Sequence, residues 1–163
     1  MGQELLLLTG IPGAGKTTAG LTLASRHGFV HMDAEEYAQS RSASTIQEWV
    51  AIWEAFAQQV DREVRQGRDV VVTWGFMPGV DNLTVRLLQS RGFKMIWFDG
   101  NREAARREFL RRKTVSADEL AAQMGRIADL DLASFGPTEY NSFGIDGNFL
   151  PRETIADQLL ALT

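Results

Sequence analysis

Short, uniformly apolar runs alternate along this chain with longer stretches in which apolar residues recur every three or four positions. Glu4-Leu-Leu-Leu-Leu-Thr9 shows no polar alternation, as expected of a strand covered on both faces. Thr17 to Arg26 carries Ala19, Leu21, Leu23 and Ala24 and predicts a helix. Gly28-Phe-Val-His-Met32 predicts a second strand ending at Asp33. Ser44 with Gln47 fits a capping box opening a long helix, whose Ile46, Trp49, Val50, Trp53, Phe56, Ala57, Val60 and Val64 share one face. Gln66-Gly67-Arg68 stops it, and Asp69-Val-Val-Val-Thr73 is the clearest strand in the chain. Gly75 to Gly79 reads as a loop, Val80 to Arg91 as a helix, and Phe93-Lys-Met-Ile-Trp-Phe98 as a fourth strand. A basic helix is expected from Arg102 to Lys113, and Ser116 with Glu119 predicts a further capping box and a helix to about Ala128. A loop from Leu130 to Asn141 then leads to an expected short strand near Phe143-Gly-Ile145, and Pro151 is expected at the first position of the last helix.

Strands separated by helices imply an α/β fold: three layers, with a five-stranded parallel sheet flanked by helices. No repeat, linker or low-complexity tract divides residues 1–163, which read as a single domain. Ligands of such sheets sit at the carboxyl ends of the strands. Those ends are expected at Thr9-Gly10, Asp33, Thr73-Trp74, Asp99 and Asp146.

The first of these ends carries the most specific chemistry. Gly10-Ile-Pro-Gly-Ala-Gly-Lys-Thr17 has two glycines, a lysine and a hydroxyl residue at the offsets of a phosphate-binding loop, set between a predicted strand and a predicted helix. Backbone amides that approach an anion closely, with the positive end of a helix behind them, make a concave anion site. Lys16 suits the outer phosphates and is expected to be exposed in the empty loop, while the Thr17 hydroxyl suits a magnesium ion. The reading is a nucleoside triphosphate site.

Composition narrows the partners. The net charge of −4 argues against general nucleic-acid coating, so nucleic acid is disfavoured as a partner. The absence of cysteine excludes disulfides, thiolate metal sites and cysteine nucleophiles. Residues 1–9 lack a basic segment and cleavage site, and no apolar stretch reaches membrane-spanning length, so a cytoplasmic protein without membrane association is expected.

The loop near the start, an acidic residue ending the second strand and an arginine-rich helix after the fourth resemble small P-loop kinases. The group is the nucleoside-monophosphate-kinase-like one, with adenylate, shikimate, gluconate and polynucleotide kinases among its members. The resemblance spans nearly the whole chain, with specificity only in the phosphate loop. It implies an ATP·Mg²⁺ donor held by Gly10, Pro12, Gly13, Ala14, Gly15, Lys16, Thr17 and Thr18, and a lid over about 111–141. It implies Lys16, Asp33 and Arg111 as catalytic residues and Thr17 with Asp33 around the metal. Asp33 stands where shikimate-kinase-like enzymes orient or deprotonate the acceptor hydroxyl, yet Asp33 with Glu36 also fits a helix cap. Arg107 and Arg111 resemble a lid-entry pair, the first near adenine and the second on the phosphates, with Arg106 and Arg112 one residue out of register.

Two departures stand out. No carboxylate ends the third strand, where many P-loop proteins hold magnesium; Thr73-Trp-Gly-Phe-Met-Pro-Gly79 resembles a bulkier form of the glycine turn of shikimate-type kinases. No acceptor-specific motif is present between Ala34 and Gly67 or from Gly75 to Asp81. Trp49 and Trp53 read as core, Trp74 as core or pocket wall, His31 as a buried or capping residue, and Ser40-Arg-Ser42 as a polar loop able to meet an anionic acceptor. The leading expectation is a kinase acting on a hydroxyl or phosphate of a small metabolite or nucleotide. A nucleotide-binding regulatory module and a 5′-end polynucleotide kinase are the alternatives. The last would need a basic track, but Met32 to Ala43 holds Asp33, Glu35 and Glu36 against Arg41 alone.

Overall fold

Parallel pairing places every strand's carboxyl end on one edge of the molecule. The computed structural model describes residues 2–75, 82–112 and 116–163. Strands β1 (Leu5–Gly10), β2 (Val30–Asp33), β3 (Val70–Thr73), β4 (Lys94–Phe98) and β5 (Thr138–Tyr140) form one parallel sheet in the order β2-β3-β1-β4-β5. The register sets Asp33 beside Thr73, Thr73 beside Leu8, Gly10 beside Phe98 and Phe98 beside Tyr140. Helices α1 (Lys16–His27), α2 (Ala34–Gln39), α3 (Ile46–Arg65), α4 (Asn82–Ser90), α5 (Arg102–Arg111), α6 (Ala117–Ala128) and α7 (Arg152–Ala161) make the connections.

Right-handed crossovers divide the helices between the two faces. The chain moves one way across the sheet through α1 and the other way through α3 and α4; α1 packs with α7, and α3 with α4. The sheet centre is therefore sealed on both sides. Leu6, Leu7, Leu8, Val70, Val71, Val72 and Ile96 are each 0% exposed, which is why β1 and β3 need no polar alternation. The Thr9 hydroxyl shares this burial and has no hydrogen-bond partner among the described residues. Among those residues no helix is long and apolar enough to cross a membrane.

Several expectations shift. The fifth strand is Thr138–Tyr140, not Phe143-Gly-Ile145. Phe143 instead pairs antiparallel with Phe149, and their rings stack 4.5 Å apart. That hairpin is closed by Gly144 N–H donating to Asn148 O and Gly147 N–H to Gly144 O. Asp146 consequently ends no strand; its carboxylate accepts from Asn148 N–H and holds the turn. The cap of α3 moves by one residue: the Thr45 hydroxyl accepts from Glu48 N–H while Glu48 reaches back to Ser44 N–H. Pro151 is the N-cap of α7 rather than its first helical residue. The cap expected at Ser116 forms on Glu119 N–H. The Gly75–Gly79 loop beyond Gly75 and the start of the helix at Val80 lie outside the described residues, as does Lys113.

Candidate active site

The phosphate loop is shaped by what its glycines must avoid. Gly13 has φ 80°, and a Cβ there would lie 2.1 Å from the Ala105 carbonyl of α5. Gly15 has φ 86° and is the N-cap of α1, so no side chain satisfies the first amides of that helix. No acidic residue occupies the first turn either. The result is a set of free N–H donors at a positive helix end, suited to an anion.

Lys16 is half-buried rather than exposed, which corrects the sequence expectation. Its Nζ donates to the carbonyls of Gly10 (3.1 Å) and Ile11 (2.8 Å). Burial pushes the ammonium down to about 8; the Glu35 carboxylate pulls the other way and the Arg112 guanidinium adds to the depression. The lysine is thus parked on the loop, with Glu35, Arg112 and Asp33 close enough to act on its charge.

Thr17 and Asp33, far apart in sequence, come together here. The Thr17 hydroxyl lies 3.3 Å from Asp33 Oδ2, and Asp33 Oδ1 accepts from Glu36 N–H at 3.0 Å. One oxygen caps α2 and the other faces the phosphate loop, so the two readings of Asp33 do not compete. A hydroxyl and a carboxylate are a hard-oxygen pair that fits Mg²⁺. Among the described residues no group of three or more His, Cys, Asp or Glu could hold a metal alone. An ion here would need phosphate oxygens and water to complete its shell, as Mg²⁺ usually does.

The other strand-end residues are structural. His31 Nε2 meets the Thr73 hydroxyl at 2.7 Å, and burial lowers its pKa against the pull of Asp33 and Glu36. Burial pushes the Asp99 carboxyl up, but hydrogen bonds from Arg102, Gly100 N–H and Trp97 outweigh it and hold the group below its ordinary value.

Two clefts flank the loop. The smaller, about 290 Å³, lies among Gly13, Gly15, Thr18, Arg111, Arg112, Phe149, Leu150 and Arg152. The Phe149 ring stands over Gly15, and the same segment is tied to the loop by the buried Ser142 hydroxyl donating to Ala14 O at 2.7 Å. The larger cleft, about 470 Å³, starts at Gly10, Pro12, Lys16 and Thr17. Glu35, Ala38 and Gln39 of α2, Trp49 and Trp53 of α3, Trp74 and Gly75 after β3, and Glu119, Gln123, Arg126 and Ile127 of α6 wall it. Trp53 is 4.7 Å from Trp74 and 6.0 Å from Trp49, ring centre to ring centre. Trp53 and Trp74 are each both core and wall.

The arginines fall differently from the expected pair. Arg111 lines the smaller cleft and pairs with Glu108 at 2.6 Å, while Arg112 lines both clefts. Arg107 lines neither: it pairs with Glu103 at 3.6 Å and packs near Gly147. Arg106 borders a separate hollow with Ile11 and Pro12. Arg41 donates to Tyr37 O and the Ser40 hydroxyl, with its guanidinium 3.5 Å from the centre of the Tyr37 ring, and lines neither cleft. Sequence reasoning missed Glu35, Arg126 and Phe149. The first two stand on helix surfaces with no motif, and Phe149 was hidden behind the misplaced fifth strand.

The parallel sheet of order β2-β3-β1-β4-β5, with the glycine loop at the end of β1, is the fold of solved P-loop kinase structures. No protein-family model matches the sequence, and no curated protein is detectably similar to it. Solved structures are similar over nearly the full length. A sugar kinase from Janibacter sp. HTCC2649 is 16% identical with a TM-score of 0.68, over 98% of this chain and 93% of that one. A gluconokinase from Sinorhizobium meliloti 1021 is 13% identical with a TM-score of 0.65, over 97% and 90%. A shikimate kinase from Bacteroides thetaiotaomicron is 21% identical with a TM-score of 0.60, over 98% and 97%.

Proposed function

We propose that this chain is an ATP- and Mg²⁺-dependent kinase that transfers the γ-phosphoryl group to a hydroxyl or phosphate of a small metabolite or nucleotide. The observation that carries the reading is the Thr17–Asp33 contact, made where a metabolite-sized cleft opens beside Lys16. A regulatory nucleotide-binding module would need no second cleft at the phosphate end, so the cleft favours the enzyme. The likeness to a sugar kinase, a gluconokinase and a shikimate kinase agrees with a phosphoryl donor and a small acceptor.

Phosphoryl transfer asks a protein mainly for positioning and charge compensation. Lys16 would leave the Gly10 and Ile11 carbonyls for the β- and γ-phosphates, exchanging two neutral acceptors for charged ones. The amides of Gly13 to Thr18 would hold the remaining phosphate oxygens. Thr17 and Asp33 would hold Mg²⁺, which supplies compensation for charge on the transferring group. Asp33 would also orient the acceptor hydroxyl, either as the base that takes its proton or through a magnesium-bound water. Arg112, between the clefts, would reach the phosphates, and the base would lie against Phe149, Leu150 and Arg111. The helix α6, opposite the tryptophans, would serve as the lid that excludes water from the transfer. The lid would not include Thr138–Tyr140, which is sheet.

The test is incubation with ATP labelled in the γ-phosphate, Mg²⁺ and pooled metabolites, followed by identification of labelled product. Transfer to a small acceptor is the expected outcome. ATP binding without transfer to any pool would favour the regulatory module.

A further inference from the structure

We infer that the acceptor is an uncharged alcohol that presents a flat apolar ring face, and not a carboxylate or a phosphate ester. The inference rests on the kinase reading and narrows its acceptor. The wall supplied by α2 and α3 carries no cation into the cleft. Between Ala34 and Asp61 the only basic residue is Arg41, and its guanidinium is occupied by Tyr37 and Ser40 outside the cleft. The same wall offers Glu35, Gln39, Trp49 and Trp53, with Trp74 beneath them. Glu35 reaches over Gly75 at the cleft floor, 1.9 Å from where a Cβ would stand.

These groups select by charge. The face of an indole ring carries negative potential, so an anion laid on the partly exposed Trp49, backed by the buried Trp53 and Trp74 and beside a carboxylate, would lose hydration without gaining a partner. A hydroxylated ring meets the opposite situation. Its C–H face packs on the indoles, and its hydroxyls donate to Glu35 and exchange hydrogen bonds with Gln39 and Gln123. Lys16, Arg112 and Arg126 line the cleft from outside α2 and α3, and on this reading all three serve the donor phosphates.

Matched pairs of possible acceptors test the inference: a nucleoside and its monophosphate, shikimate methyl ester and shikimate, glucose and gluconate. Each is titrated against the intrinsic indole fluorescence of the whole protein with a non-hydrolysable ATP analogue and Mg²⁺ bound, and then assayed for ADP release with ATP. The uncharged partner of at least one pair should perturb the fluorescence and release ADP at least tenfold more efficiently than its anion. Trp49→Leu, at the half-buried end of the wall, should raise the acceptor KM roughly three- to tenfold and leave the ATP KM unchanged, with Trp49→Phe in between. Preference for an anionic member, abolished in Arg126→Gln, would overturn the inference. So would a protein that transfers phosphate to some acceptor while its indoles respond to no uncharged ring alcohol, a result that leaves the kinase reading standing. Loss of the kinase reading itself would be seen separately, as no ADP release with either member of any pair and no transfer to pooled metabolites, whether or not ATP·Mg²⁺ binds.

Discussion

Lys16 spends the empty state as an internal hydrogen-bond donor, and this shapes what its removal does. Lys16→Ala should weaken ATP·Mg²⁺ binding by about tenfold or more, the worth of a charge-assisted hydrogen bond, while the fold persists. Calorimetric titration beside a thermal melt measures both. The lowered Lys16 pKa, about 8, adds a pH signature. Bound phosphates favour the ammonium, so its pKa rises in the complex and binding takes up a proton between the free and bound values. ATP affinity should therefore be full below about pH 8 and fall above it, by up to tenfold per pH unit, and Lys16→Ala should lose this slope. Asp33→Asn separates the two oxygens of that side chain. Asparagine caps a helix about as well, so the thermal midpoint should barely move. It takes no proton and compensates no metal charge, so turnover should fall about 10²- to 10⁴-fold. Wild-type turnover in that variant would leave Asp33 as a cap alone. Thr9→Val removes a buried hydroxyl that has no partner among the described residues and should stabilise the protein by about 1 kcal/mol, a rise of roughly 2–4 °C.

At the level of elements, α5 sets which arginines face the clefts: Arg111 and Arg112 do and Arg107 does not. Arg107 and Arg111, the expected pair, both lie within the helix, which ends at Arg111. Arg112, the C-cap, has φ −72° and ψ 111°, so the chain leaves the helix after it, and its side chain lines both clefts. Arg112→Gln should therefore cost nucleotide affinity or turnover about tenfold, and Arg107→Gln little, in parallel steady-state assays. Strand β5 was illegible in the sequence. Three residues on a sheet edge, with Glu139 exposed, leave no period to read, while the more apolar Phe143-Gly-Ile145 forms part of a turn whose ring stacking supplies the burial. The long helix α3 and the central strands were legible because packing repeats the same demand over many residues.

The whole molecule brings the donor loop, Asp33, the tryptophans and α6 around one edge of the sheet. If α6 closes over bound phosphates, amides of residues 116–128 should exchange more slowly with a non-hydrolysable ATP analogue than without it. Those of Thr138–Tyr140, already in the sheet, should change little; equal protection of α6 in both states would count against a lid. The sequence by itself determined the α/β architecture, the glycine loop between β1 and α1 and the place of Asp33 at the end of β2, because each depends on local spacing: apolar runs, glycines at fixed offsets, a carboxylate ending a strand. Only the tertiary structure decided that Thr17 meets Asp33, that Arg112 rather than Arg107 reaches the clefts, and that Trp49, Trp53, Trp74 and Glu35 share a wall. Those neighbours come from different elements, and their proximity is set by strand register and by where a helix stops, which no local pattern encodes.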